Sequence, residues 1–189
     1  MEPNYLVLVN EDNRLPDNYT DTVELVSYTN ELGNDLLIER KTLDAFLALK
    51  EDAMKNDGIE IEITSVYRDI KTQEEIFDRY LREFGEEYAK KYVAIPGHSE
   101  HHTGLAIDIA VNTDKGWTMS IEARFDVEDL FNKVQSKLPL YGFILRYPKG
   151  KENVTKIGYE SWHFRYIDSS ETAKEMTENN LTMEEYFEK

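Results

Sequence analysis

All four histidines of this 189-residue chain lie in two short segments that are far apart in the sequence. Residues 96–108 read PGHSEHHTGLAID and contain three of the histidines, while residues 159–166 read YESWHFRY and contain the fourth. Each segment also holds acidic residues, notably Asp108 in the first and Glu160 in the second. A fold that brings the two segments together gathers imidazoles and carboxylates at one point. No other feature of the sequence restricts the fold as strongly.

The residue types in the two segments suit a zinc ion. Catalytic zinc typically takes three protein ligands and keeps a fourth position for water. His101, Asp108 and His163 would supply the three ligands, and Glu160 would lie beside the water as a base. Because the chain has no cysteine, the site must use nitrogen and oxygen ligands only. The sequence therefore predicts one Zn²⁺ per chain.

The spacing within each segment fits this arrangement. His101 and Asp108 are seven residues apart, and a turn at Gly104 followed by a strand would fold both side chains over one point. Glu160 and His163 are three residues apart, a spacing that converges in a helical turn but not in a regular strand. We therefore expect a turn or bulge just before the strand that carries His163.

Each short motif is weak by itself, because a His–Asp pair or a Trp–His pair at such spacing also occurs by chance. Their combination with an upstream Tyr67-Arg68 pair and Gln73 is more specific. The remaining histidines are interpreted differently: His98 as a residue at the rim of the pocket, and His102 as a neighbour whose side chain points away from the ligands.

The secondary-structure pattern predicts an α+β fold, with a small central antiparallel sheet flanked by helices and the zinc cleft on the open face of the sheet. Predicted strands cover residues 59–64, 105–111, 141–147 and 162–167. Predicted helices cover residues 37–56, 71–84 and 126–137, with a further helical piece between Gly85 and about residue 92 and two more helices that begin after Ser169 and Thr182. No linker or repeat divides the chain. We predict a single domain, residues 1–189, in which residues 1–36 wrap a catalytic core of residues 37–189.

Three of these predictions are specific enough to be tested in detail. The strict alternation in residues 59–64 indicates a half-buried strand, and a short apolar run at residues 5–9 indicates another strand. Residues 105–111 should place one face in the core and leave the other open around Asp108. The helix at 37–56 has an apolar stripe formed by Leu43, Phe46, Leu47 and Met54.

The charge of the chain limits its partners. There are 38 acidic and 22 basic residues, a net charge of −16, which repels nucleic acid and anionic membrane surfaces. No apolar run approaches the ~20 residues of a membrane span, and no signal peptide is visible. The sequence as it stands predicts a cytoplasmic monomer that binds neither nucleic acid nor membrane. Removal of a leader would instead place the same chain in the cell envelope.

The two histidine segments, together with residues 92–97 (YVAIPG) and 141–148 (YGFILRYP), resemble the VanY/VanX-type D-alanyl-D-alanine peptidases, which are zinc enzymes of bacterial cell-wall metabolism. The resemblance implies that His101, Asp108 and His163 bind zinc and that Glu160 is the catalytic base. It also implies that Arg68 polarises the scissile carbonyl or its oxyanion, and that Ser99 helps to hold the substrate.

Further candidates for substrate contacts are Tyr67, Gln73 and Trp162. Each also has a structural interpretation: a buried tyrosine with a satisfied hydroxyl, a helix-start glutamine bonded to the backbone, and a tryptophan that fixes His163 by packing. Two positions depart from the family pattern, since His102 replaces a common glutamine and Val66 replaces a small residue.

The function expected from this resemblance is hydrolysis of the D-Ala-D-Ala terminus of peptidoglycan stem peptides or precursors, as a D,D-carboxypeptidase, a D,D-dipeptidase or both. One alternative is an L,D-carboxypeptidase that acts on muropeptide tetrapeptides. The other is a non-catalytic cell-wall binding module stabilised by zinc. The presence of both Glu160 and Arg68 argues against the module, because a structural zinc needs neither.

Overall fold

The computed structural model describes residues 3–188 and contains seven strands and eight α-helices in that range. The strands are β1 (Leu25–Thr29), β2 (Asp35–Glu39), β3 (Ile61–Ser65), β4 (Ala106–Thr113), β5 (Gly116–Trp117), β6 (Phe143–Leu145) and β7 (His163–Tyr166). The helices are α1 (Arg40–Asp52), α2 (Ile70–Phe84), α3 (Glu86–Tyr92), α4 (Ile121–Phe125), α5 (Glu128–Gln135), α6 (Glu152–Thr155), α7 (Ser170–Glu178) and α8 (Met183–Phe187).

The larger sheet has the strand order β3-β4-β7-β6, with β5 paired to β4, and all its pairings are antiparallel. The strands β1 and β2 form a separate antiparallel hairpin. The predicted α+β class with a small antiparallel sheet flanked by helices is confirmed.

Strand β4 carries the central part of the core. Ile107, Ile109 and Val111 of β4 and Leu105 just before it are all fully buried, as their alternation predicts. They join one apolar cluster with side chains from α1, β3, α5 and β7. The opposite face of β4 carries Asp108, whose side chain is 17% exposed. A buried strand therefore holds one carboxylate at the edge of an open cleft.

The strand predicted at residues 5–9 is absent. These residues form no strand, and the hairpin of β1 and β2 lies further along the chain, within residues 25–39. The carbonyl groups of Tyr5 and Val7 accept hydrogen bonds from Arg165 Nη2 at 2.9 and 3.0 Å. A side chain thus replaces the neighbouring strand that would otherwise satisfy this backbone.

The strand at residues 59–64 is not half-buried as predicted. Glu62 is fully buried, and its carboxylate accepts hydrogen bonds from Tyr28 Oη at 3.0 Å and Lys50 Nζ at 2.7 Å. The second face of β3 is therefore covered by residues from β1 and α1. Alternation in the sequence cannot reveal such cover, because the covering residues are distant in the chain.

The helix predicted at 37–56 begins later. Leu37 lies in β2, and α1 begins at Arg40 because the Glu39 side chain accepts a hydrogen bond from Thr42 N at 2.8 Å. Leu47 and Met54 of the predicted stripe are 42% and 53% exposed. Phe46 of the predicted stripe is fully buried and Leu43 packs against the core, and Thr42, Leu49 and Ala53 form the rest of the buried face.

The strand predicted at 141–147 is shorter than expected, because a 3-10 turn at Leu138–Tyr141 and Gly142 at φ 71° precede β6. The two C-terminal helices are confirmed, with caps at Ser169 and Thr182. Within residues 3–188, none of the helices combines the length and the apolar character needed to cross a membrane.

Candidate metal centre

Three potential zinc ligands meet where β4 and β7 pair. One ligand atom from each of His101, Asp108 and His163 lies within 4.8 Å of the other two. Asp108 and His163 are directly opposite each other in the strand register. His101 approaches from a 3-10 turn, Glu100–Thr103, that ends at Gly104 with φ 75°. The sheet fixes two of the ligands, and the glycine turn delivers the third.

His101 presents one free nitrogen to the site. Its Nδ1 lies 2.6 Å from the carbonyl oxygen of Val66, which fixes the proton on Nδ1. Its Nε2 lies 3.2 Å from Asp108 Oδ2 and is buried without a hydrogen-bond partner. Burial, followed by the charge of Arg68, lowers the pKa of His101 to about 4. The ring is therefore neutral at pH 7 and keeps the lone pair that a metal ligand needs.

His163 begins β7 and faces carboxylates on both sides. Its Nδ1 lies 3.0 Å from Asp108 Oδ1 and 3.6 Å from Glu160 Oε2. Its Nε2 lies 3.6 Å from Glu100 Oε2. Burial lowers the pKa of His163, but Asp108 and Glu100 outweigh burial and raise the pKa to about 9. The carboxylates near Nδ1 thus favour a positive charge at this position, and a bound divalent cation would supply that charge.

Glu160 is held beside the three ligands. The predicted turn is present, since residues 161 and 162 form a turn and His163 N donates to the carbonyl of Glu160. Burial raises the pKa of the Glu160 carboxyl to about 8, Asp108 adds to the increase, and His163 opposes it. A carboxyl with a pKa near neutrality can take a proton and return it at pH 7.

Glu100 is a residue that the sequence reasoning missed. Its Oε1 accepts hydrogen bonds from Arg146 Nε and Arg165 Nη1, both at 2.8 Å, while Oε2 faces His163. Burial opposes ionisation, but the two guanidinium groups hold the pKa of Glu100 far below its usual value. A carboxylate behind a ligating histidine orients the ring. The sequence did offer one signal for this role. Glu100 directly precedes His101, and Arg146 and Arg165 lie before and within the second histidine segment.

The ligands and Glu160 line one cavity of about 120 Å³. The other residues lining it are Arg68, Gln73, Ile76, Tyr80, Tyr92, Val93, Ala94, Ser99, Ile121, Arg124, Tyr147, Ile157 and Trp162. The structure thus brings together eight of the nine predicted site residues. Tyr67 is the exception, since it lines a different cavity with Asp69, Gly97 and His102.

The four predicted residues of this cavity beyond the ligands and Glu160 differ in how their polar atoms are used. Arg68 Nε is buried without a hydrogen-bond partner, and Gln73 donates from Nε2 to the Ala94 carbonyl at 2.7 Å while its Oε1 has no partner. Ser99 Oγ accepts from His101 N at 3.3 Å and so caps the turn that holds the first ligand. Trp162 is 3% exposed and packs edge-on against Phe125.

Neither of the other two histidines is placed as a ligand. His102 Nδ1 lies 2.6 Å from the carbonyl of Arg68, and His102 Nε2 accepts from Gly97 N at 3.0 Å. His98 Nδ1 bonds to the carbonyl of Asn10 at 2.8 Å, in a neighbouring cavity. Arg124, which the sequence reasoning did not select, does line the metal cavity.

Comparison with known proteins agrees with this geometry. The family model described as VanY, D-alanyl-D-alanine carboxypeptidase, matches residues 35–169. The chain is 40% identical over 196 residues to YodJ of Bacillus subtilis (strain 168), an alignment that covers 98% of this chain and 68% of YodJ. It is 37% identical over 142 residues to VanXYC of Enterococcus gallinarum, a bifunctional D-Ala-D-Ala dipeptidase and D-Ala-D-Ala carboxypeptidase, with 73% of each protein covered.

Two solved structures show the same fold. The LD-carboxypeptidase LdcB superposes with a TM-score of 0.83 at 39% identity, covering 98% of this chain and 86% of that one. A D,D-pentapeptidase VanY in complex with Zn(II), from a VanB-type resistance cassette, superposes with a TM-score of 0.80 at 31% identity, covering 97% and 98%.

Proposed function

The chain belongs to the VanY family of D-alanyl-D-alanine carboxypeptidases, and on this basis we propose that it is a zinc-dependent peptidase that hydrolyses the D-Ala-D-Ala end of peptidoglycan stem peptides or precursors. The observation that carries the proposal is the buried, unpartnered Nε2 of His101, which points at Asp108 in a cavity that also holds Glu160. An N,O,N donor set of this kind suits zinc.

The proposed ligand atoms are Nε2 of His101, a carboxylate oxygen of Asp108 and Nδ1 of His163. In the bound state, zinc would polarise the scissile carbonyl and lower the pKa of a coordinated water to about 7. Glu160, whose carboxylate lies 3.6 Å from His163 Nδ1, takes the proton of the attacking water. It then returns that proton to the departing amine.

Arg68 directs its guanidinium into the same cavity and has an N–H group with no protein partner. An unpaired donor of this kind can stabilise the negative charge that develops on the carbonyl oxygen. Ser99, Gln73 and Trp162 complete the walls that position the peptide. Tyr67 lies outside these walls and receives no role in substrate binding.

A second reaction has support from one comparison. The similarity to the LD-carboxypeptidase LdcB favours cleavage of tetrapeptides that end in an L–D bond. A non-catalytic zinc module is disfavoured, since Glu160 and Arg68 both line the cavity of the three ligands. The same catalytic groups serve either bond, because the chemistry at the carbonyl is identical.

The experiment that separates these reactions is product identification by mass. Zinc-loaded protein is incubated with the D-Ala-D-Ala dipeptide, a muropeptide pentapeptide and a muropeptide tetrapeptide. Release of D-Ala from the dipeptide or pentapeptide supports the proposed function, and release only from the tetrapeptide supports the second reaction. No release from any of them, with zinc bound, would indicate the module. The same preparations, passed through gel filtration with light scattering, test the prediction of a single-domain monomer.

A further inference from the structure

Four arginines lie near the metal centre, three of them buried and Arg68 partly exposed, and they fall into two pairs. Arg146 and Arg165 are fully buried, and both bond to the Glu100 carboxylate. Arg68 and Arg124 have no carboxylate within ion-pair distance among residues 3–188. A buried charge without a counter-charge is costly, so the second pair calls for a ligand of opposite charge.

Arg124 is 8% exposed, and its side chain is held on three sides. Its Nε donates to the Thr118 carbonyl at 3.2 Å, and its Nη2 donates to Thr64 Oγ1 at 3.1 Å. Its guanidinium carbon lies 4.9 Å from the centre of the Trp162 ring. Within the described residues, Nη1 makes no hydrogen bond, and the residue lines the metal cavity. One edge of a rigid guanidinium is therefore available to a bound molecule.

The net charge of the protein makes an unpaired cation in this cavity significant. In a chain with a net charge of −16, an anion is repelled unless a local cation attracts it. Burial lowers the pKa of Arg124, while the charges of Asp108 and Glu160 oppose that decrease. The guanidinium stays charged at neutral pH even so, because arginine does not lose its proton in proteins. The cavity thus holds a permanent cation that the protein itself leaves without an ion pair.

We propose that Arg124 binds the C-terminal carboxylate of the peptide substrate and so restricts this enzyme to chain ends. The inference rests on the proposed function, since the D-Ala-D-Ala terminus carries its free carboxylate on the residue directly after the attacked carbonyl. Guanidinium N–H groups match a carboxylate in geometry and charge. Because Arg124 is already held in place by Thr64, Thr118 and Trp162, its contact forms on binding and persists through the reaction.

This assignment gives the two free arginines different tasks. Arg68 has no side-chain hydrogen bond in the described residues and acts on the developing oxyanion, which exists only in the transition state. Arg124 acts on a charge that is present throughout. Loss of Arg124 should therefore raise KM, whereas loss of the Arg68 donor should lower kcat.

The test compares one peptide ending in D-Ala-D-Ala as the free acid with the same peptide as its C-terminal amide. For the acid, Arg124→Gln should raise KM about 10- to 100-fold, the range expected for a lost charged hydrogen bond. The slow cleavage of the amide should stay unchanged, so the preference for the acid disappears. Arg124→Lys should raise KM for the acid by a smaller factor, because lysine retains the charge but not the fixed geometry of the guanidinium. Zinc content and melting temperature are measured for each variant.

The matched control is Arg82→Gln, which removes the same charge from an exposed position on α2. This variant should cleave the acid and the amide with the kinetics of the wild type. If both Arg124 variants lost the same fraction of cleavage activity on the acid and on the amide, the proposal would be overturned. Arg124 would then serve only to hold Trp162 in place. An unchanged preference for the acid would overturn the proposal as well.

A binding measurement gives the same answer without turnover. Calorimetry of D-Ala-D-Ala with Glu160→Ala protein is compared with the same protein that also carries Arg124→Gln. The proposal expects 10- to 100-fold weaker binding in the double variant, and equal affinity overturns it. Because this arm needs no catalysis, absence of peptide cleavage by the wild-type chain would count against the proposed function separately.

Discussion

The two sides of His163 differ in how completely their charged groups are satisfied. On the Nε2 side, Glu100 accepts from Arg146 and Arg165, and Arg146 also pairs with Glu184 at 2.6 Å. On the Nδ1 side, the cavity holds groups that the protein leaves unpaired. Folding pairs the charged groups of the first side, except that His163 Nε2 and Glu100 Oε2 face each other at 3.6 Å without a hydrogen bond. The proposed metal and substrate would pair the groups of the second side.

The buried polar atoms without partners are concentrated around the same site. Within residues 3–188, six such atoms occur: Arg68 Nε, Gln73 Oε1 and His101 Nε2 belong to residues lining the metal cavity, His163 Nε2 and Glu100 Oε2 face each other on the opposite side of the His163 ring, and the sixth is Ser161 Oγ. Since native proteins satisfy nearly all buried polar groups, a concentration of exceptions at one place indicates a ligand site. Substitutions on the cavity side should therefore affect metal binding and rate, and substitutions on the Glu100 side should affect stability.

The largest effect is expected from His163→Ala. Nε2 of His163 faces Glu100, and its Nδ1 is a proposed zinc ligand. Loss of the ring should therefore remove zinc and reduce turnover to background. Zinc content per chain is measured by atomic emission after dialysis. His98→Ala is the control and should retain about one zinc, because His98 bonds to Asn10 in another cavity. Equal zinc loss in both variants would contradict the ligand assignment.

The next largest effect is expected from Arg68→Lys. The lysine keeps the charge but offers a mobile donor in place of a fixed N–H, so kcat should decrease by about 10²–10³ while zinc content and melting temperature stay unchanged. Steady-state kinetics with the free-acid peptide measures the change. A higher KM with unchanged kcat would instead place Arg68 on the substrate carboxylate and remove its distinction from Arg124.

A smaller effect on metal binding, with a clear effect on stability, is expected from Glu100→Gln. Arg146 and Arg165 would lose the carboxylate that they share, which should reduce the free energy of unfolding by about 3–5 kcal/mol. The zinc dissociation constant should rise about 10- to 100-fold, because His163 loses the carboxylate behind its ring. Chemical denaturation of metal-free protein and zinc titration measure the two effects. Unchanged stability would remove the contrast between the two sides of His163.

The three side chains that could hold a metal were predictable from the sequence because they lie in short motifs with local geometry. The seven-residue step from His101 to Asp108 needs only a glycine turn and the start of β4. The three-residue step from Glu160 to His163 needs only a turn at the start of β7. Both arrangements are fixed by neighbours in the chain, so the local sequence is sufficient.

The remaining features depend on contacts between distant segments. Glu62 appears exposed from alternation, yet Tyr28 and Lys50 cover it. Glu100 is important because the fold brings it to Arg146 and Arg165, which lie 46 and 65 residues away. Arg124 belongs to a short helix with no visible motif and reaches the cavity only through the packing of α4. No local pattern contains this information.

The central claim is that a single zinc held by His101, Asp108 and His163 works with Glu160 to release D-Ala. The most direct test titrates zinc into metal-free wild-type and Glu160→Ala proteins while D-Ala release from a pentapeptide is followed. The wild-type rate should rise in proportion to added zinc up to one equivalent and then stay constant. Glu160→Ala should bind the same equivalent and release almost no D-Ala, because the base is separate from the ligands. Rapid release by zinc-loaded Glu160→Ala, or release that does not depend on zinc, would contradict the claim.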